Sequence, residues 1–209
     1  MKLKKLAALC KRAGTLRMVY KGSTLFAGTD KALYKLPNSL PVIHNSAELI
    51  AVLGYTDKEA DKLYPQYDDY NELKTTTGLC LDDAWEGERI CDESYFDLVA
   101  GESVLRGLEC DDATMGFIDV ELLAPVEDKI GAYTEFYRRQ MPTGNYYYVI
   151  KDGMEMLAMI TPMQVLSTEF AQHLRGMSNM VYRALYGDSY TSKYMGVPVE
   201  KAMEGEEKN

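Results

Sequence analysis

Apolar and polar positions alternate along this chain with two different periods. Leu3, Leu6, Ala7 and Cys10 fall at helical spacing. Lys4, Lys5, Lys11 and Arg12 project from the other side, about 80° to 200° around a wheel of 100° per residue. Gly14 follows as the natural stop for this helix. The period then shortens: LRMVY and STLFAG read as two strands joined by a tight turn at Lys21-Gly22. Thr29-Asp30 turns the chain into a third strand, ALYKL, closed by Pro37 and Pro41.

Helical spacing returns at AELIAVLG, where Asn45 to Glu48 form a capping box and Gly54 a stop. Thr56 to Glu59 repeat the capping signal and open a second short helix, predicted to reach about Tyr64. Its acidic sequence, DKEADKLY, does not suit a base-reading helix. LKTTTGLCLDD and GERICDES read as a hairpin around Trp85-Glu86-Gly87, and YFDLVAGESVLRGL fits helix or strand equally. From Thr114, GFIDVELLAPV and AYTEFYRRQ are expected strands. YYYVIK and MEMLAMI flank Asp152-Gly153, a pair suited to a type I′ turn. Ser167 then caps a long helix whose apolar line is Phe170, Leu174, Met177, Val181 and Leu185, with Gln172, Arg175, Asn179 and Arg183 roughly opposite.

These elements predict an α+β fold of antiparallel meanders with helices packed on one face. Its units are a helix–meander–helix lobe over 1–64, an acidic connecting or inserted region over 65–113, a meander–helix lobe over 114–187 and a polar tail over 188–209. At 209 residues the whole also fits one continuous domain. Sixteen Tyr against five Phe and one Trp favour strands over a helical bundle.

Charge changes the picture. The net charge is −9, yet residues 1–29 hold seven basic side chains and no acidic one. The rest of the chain therefore carries −16, and residues 65–113 alone hold 14 acidic against three basic side chains. A positive stretch on a negative body can attract a polyanion that the net charge repels. The carboxylates between Asp82 and Glu93 lack the spacing of a calcium loop and read as a solvated face.

Candidate chemistry adds little. Cys10, Cys80, Cys91 and Cys110 form no CxxC pair, and His44 and His173 lie far from any of them, so no metal site is expected. The thiols are expected to be reduced and mostly buried, with Cys80 and Cys91 able to face each other across the hairpin. No P-loop, Gly-rich dinucleotide turn, G-x-S-x-G or H-E-x-x-H occurs. The sequence predicts a protein with no catalytic residues, no cofactor and no membrane span, located in the cytoplasm.

A faint internal repeat connects the two ends. MVYKGSTLFAGTDKALY aligns loosely with YVIKDGMEMLAMITPMQ, and SAELIAVLGY with STEFAQHLRGM. LAALCKRAG, LRMVYKGSTLFAGTDKALYKL with its Gly28-Thr29-Asp30 bend, and SAELIAVLGY together resemble the beginning of a bacterial sliding-clamp domain. LAMITPMQV is similar to a clamp's closing strand. The resemblance covers about residues 2–55 and 146–186; residues 65–113 have no counterpart in it. It implies a DNA-clamp-like fold of two pseudo-repeated lobes. It also implies sequence-independent contact with duplex DNA through Lys4, Lys5, Lys11, Arg12, Arg175 and Arg183. The corresponding function is a non-enzymatic replication accessory. The alternative is a protein-interaction scaffold of the same fold without DNA binding, working with a protein partner or as a homo-oligomer. For that reading the Tyr146–Tyr148 and Met154–Met163 hairpin is the candidate apolar surface.

Overall fold

Gly14 adopts φ 69°, and its amide donates to the Lys11 carbonyl, ending α1 (Leu3–Ala13) where the sequence predicts. The computed structural model describes residues 1–112, 114–163 and 168–186. The Ser167 cap and the tail over 188–209 expected from the sequence lie outside the described residues.

Beyond α1 come β1 (Thr15–Lys21), β2 (Thr24–Gly28), β3 (Ala32–Lys35), α2 (Ser46–Leu53), α3 (Asp57–Ala60), β4 (Tyr64–Asp69) and α4 (Tyr70–Thr77). They are followed by β5 (Arg89–Ala100), β6 (Ser103–Cys110), β7 (Met115–Asp119), β8 (Thr134–Gln140), β9 (Tyr146–Asp152), β10 (Glu155–Ile160) and α5 (Thr168–Tyr186). All the strands join one ten-stranded sheet in the order β4-β1-β2-β3-β10-β9-β8-β5-β6-β7. Every pairing is antiparallel except β1 with β4. The fold is therefore mixed α+β, with a large, mostly antiparallel sheet and few helices.

The sheet is strongly curled. Five strand spacings separate β10 from β7, about 24 Å if flat. Yet the Met163 amide, three residues past β10 and able to reach only about 10 Å, donates to the Phe117 carbonyl of β7 at 2.8 Å. The Tyr34 hydroxyl likewise crosses from β3 to the Leu122 carbonyl at 2.7 Å. The concave face encloses the main core: Leu16 and Met18 of β1, Ala27 of β2, Tyr34 of β3, Ile150 of β9, Leu108 of β6 and Ile118 of β7. Leu6, Ala7, Leu9 and Cys10 of α1 and Leu49 and Leu53 of α2 fill it. The next residues along the same strands, Val19, Phe26, Leu33 and Val149, point to the opposite face, where Tyr70 and Leu73 of α4 with Leu79 and Leu81 cover them.

Gly28 shows why the bend at Gly28-Thr29-Asp30 needs a glycine. A Cβ there would collide with the Ala32 carbonyl, and the Thr29 amide donates to that same carbonyl at 2.8 Å. Only a bare Cα allows the strand to reverse so tightly.

Four expectations are corrected. Helices cover both faces of the sheet, not one. α5 seats Leu174 against Leu105 and Phe117, whose side chains point away from the α1 side. LKTTTG is helical rather than a strand. Asp69 caps α4, and the hydroxyls of Thr75, Thr76 and Thr77 donate to carbonyls four residues earlier, which overrides their β preference. The hairpin in this region is instead β5–β6, turning at Gly101-Glu102, and β5 also pairs with β8. Cys91 is bonded to Cys110, its direct cross-strand partner, while Cys10 and Cys80 are free and buried. The Cys80–Cys91 pairing fails because residues 79–83 form no strand to face β5.

Candidate functional site

α1 carries the predicted cations, and its buried face fixes where they point. With Leu6, Ala7, Leu9 and Cys10 inward, Lys4, Lys5, Lys11 and Arg12 are exposed. The charge of Lys11 and Arg12, however, is met by carboxylates from elsewhere in the chain. Lys11 pairs with Glu59 of α3 at 2.6 Å, and Arg12 pairs with Glu121. Lys2 reaches Glu127 at 2.9 Å, Arg17 reaches Asp68 at 2.5 Å, and Lys21 reaches Asp82 at 2.7 Å. Five of the seven basic residues of the first 29 are thus in ion pairs. Lys4 and Lys5 make none among the described residues.

The electrostatics follow from this pairing. The hydrogen bond from Lys11, with further ones from the Thr56 amide and hydroxyl, pulls Glu59 down to about 2. Burial would raise Asp82, but hydrogen bonds from Lys21, Lys74 and the Cys80 thiol outweigh it and hold the carboxyl well below its usual range.

Arg175 and Arg183 do not join this surface. They lie on α5, which packs on the sheet face opposite α1, so the six predicted residues divide into two groups separated by the sheet. Arg175 turns inward toward Glu109 of β6, at 3.8 Å. α5 is rotated from its predicted register: Leu174 and Ser178 are buried, whereas Met177 and Met180 are 58% and 69% exposed. Ser178 accepts from the Tyr95 amide at 3.3 Å, and the Tyr182 hydroxyl donates to the Glu93 carbonyl at 3.2 Å. Those polar contacts explain the rotation, since seating the Met row would leave these groups without partners. Met177, Met180 and Ala184 consequently form an exposed row at helical spacing.

The hairpin proposed as the apolar surface is buried on both sides. Tyr147, Tyr148, Met156 and Met159 are all in the core, and only Met154, at its tip, is largely exposed (83%).

Sequence reasoning missed a buried charge cluster. Arg139 of β8 is fully buried and pairs with Glu88 at 2.7 Å. Its guanidinium also donates to the carbonyls of Cys80, Asp82 and Asp83. Lys151 of β9 adds a second cation to Glu88 and lies 4.3 Å from the Tyr137 ring centroid. The only signal available was the RRQ run at the end of a strand, which does not separate an inward arginine from an outward one.

A groove of about 310 Å3 runs between β2 and the loop after β3, lined by Tyr20, Leu25, Leu36, Leu40, Pro41 and Ile43. Among the described residues no three His, Cys, Asp or Glu side chains are grouped to hold a metal ion, and no helix is long and apolar enough to cross a membrane. Comparison with protein-family models, curated proteins and solved structures finds no match for this chain.

Proposed function

We propose that this chain is a non-enzymatic protein-interaction scaffold. The observation that carries the reading is the exposed row of Met177, Met180 and Ala184, on a helix whose opposite side is anchored to the sheet by specific polar contacts. Apolar side chains presented in line on an anchored helix suit a protein partner, which can cover them with its own apolar surface. The pairing of most N-terminal cations with internal carboxylates supports the same reading, because it assigns that charge to the fold. A cytoplasmic setting goes with this proposal; burial of the Cys91–Cys110 bond shields it there from soluble thiols.

The test is partner capture from the source cells by the full chain and by a Met177→Lys/Met180→Lys variant with unchanged circular dichroism. The scaffold reading expects a discrete partner retained by the wild type and lost by the variant. Equal capture by both contradicts it.

A second reading keeps the clamp-like accessory role, with two pseudo-repeated lobes and sequence-independent contact to duplex DNA. Lys4 and Lys5 favour it, as neighbouring exposed cations that make no ion pair among the described residues. So do the hairpins β1–β2 and β9–β10, each turning at a glycine of positive φ, Gly22 and Gly153.

A further inference from the structure

The seat of α5 is unusual in having a carboxylate at its centre. Glu109 of β6 is 8% exposed and lies beneath the helix. It accepts a hydrogen bond from Ser178, itself fully buried, while its Oε1 has no hydrogen-bond partner among the described residues. The charged groups around it come from three directions. Asp92 stands directly opposite on β5, Arg175 approaches from α5 at 3.8 Å, and Asp112 at the end of the hairpin acts on Arg175. On the remaining side β7 presents Met115, which carries no charge. A second carboxylate opposite and a cation beyond hydrogen-bond distance leave an ionised Glu109 poorly compensated.

The rest of the seat is apolar: Leu174 meets Leu105 and Phe117, with Phe96, Leu98, Ala100, Met115 and Met163 packed against them. An ionised carboxylate is costly in such surroundings.

We propose that Glu109 is an acid-operated latch for α5: its neutral carboxyl seats the helix on β5–β7, and its ionisation lets the helix lift. Burial first, and Asp92 in addition, raise the carboxyl above its ordinary range, while Ser178 and Arg175 oppose that rise. Because the seated state holds the proton more tightly, its stability is complete below the ordinary glutamate range and is lost as pH rises through the raised value. The latch bears on the scaffold reading, since the Met row is presented from the seated helix, but exchange in α5 reads the helix itself, so either can fail without the other.

The experiment is amide hydrogen exchange on the full chain at about pH 5 and about pH 8, expressed as protection factors so that intrinsic chemistry cancels. α5 is expected to lose protection between the two conditions, by about tenfold for every pH unit that separates the seated carboxyl from an ordinary glutamate, while β9 and β10 hold theirs. Glu109→Gln should give an α5 equally protected at both pH values, and Arg175→Met should steepen the wild-type loss. The latch is overturned if wild-type α5 is equally protected at both, or if Glu109→Gln keeps the wild-type dependence. Should Glu109→Gln fail to fold, the Arg175→Met comparison decides: an unchanged pH dependence there also overturns it.

Discussion

Arg139 and Glu88 meet at 2.7 Å in a place where the arginine side chain has no solvent contact at all. The pair fastens residues 80–88 across β8 and β9, because the same guanidinium holds three backbone carbonyls of that segment. Removing Glu88 leaves Arg139 and Lys151 charged, buried and without their shared carboxylate. Glu88→Ala is expected to destabilise the protein by about 3–5 kcal/mol, read from urea denaturation. Arg139→Lys should not restore stability, since an ammonium cannot reproduce the planar fork that reaches the carbonyls and the carboxylate together.

Cys91 and Cys110 link adjacent strands across a sequence separation of 19. Closing a loop of that size stabilises by about 3 kcal/mol in the chain-entropy description. A Cys91→Ala/Cys110→Ala variant should therefore melt well below the oxidised wild type. Thiol labelling of the native, unreduced protein should leave Cys10 and Cys80 unmodified, because both are buried. Labelling after denaturation should reveal two thiols, and four once reductant is added.

Asp82 joins β1 and α4 through Lys21 and Lys74. Its folded carboxyl lies below the ordinary range, so the stability it contributes is present above that range and is lost as pH falls. Asp82→Asn is expected to cost about 1 kcal/mol at neutral pH, a modest figure because the site is partly solvated. In chemical denaturation the gap between wild type and variant should narrow steadily as pH falls below the ordinary aspartate range. A gap that persists undiminished at low pH would show that the carboxylate's charge is not what holds these elements.

Much of the fold was readable where local signals agreed. α1 with its Gly14 stop, the β1–β2 and β9–β10 hairpins and the Asn45-capped α2 all have periodicity and turn chemistry pointing the same way. Reading failed where partners are distant. β4 pairs in parallel with β1 from beyond α2 and α3, and its exposed YPQYDD carries no apolar alternation to announce it. Thr75 to Thr77 look like strand residues until their hydroxyls find helical carbonyls. The site was harder still. Helical spacing placed Lys4, Lys5, Lys11 and Arg12 on one face, but nothing in their own stretch reveals that Glu59 and Glu121 come to meet two of them. The rotation of α5 likewise depends on Ser178, a polar position off the predicted apolar line, meeting a strand far earlier in the chain.

The cations of the first 29 residues serve the fold if their carboxylate partners, rather than a polyanion, are what they are placed to meet. Titrating a fluorescently labelled duplex with the full chain at low salt, and following anisotropy, decides between the two. Cations committed to the fold give no saturable binding, with Lys4→Glu/Lys5→Glu indistinguishable from wild type. Saturable binding that weakens steeply with salt and disappears in that variant would contradict this assignment, and would return α1 to the role of a nucleic-acid surface.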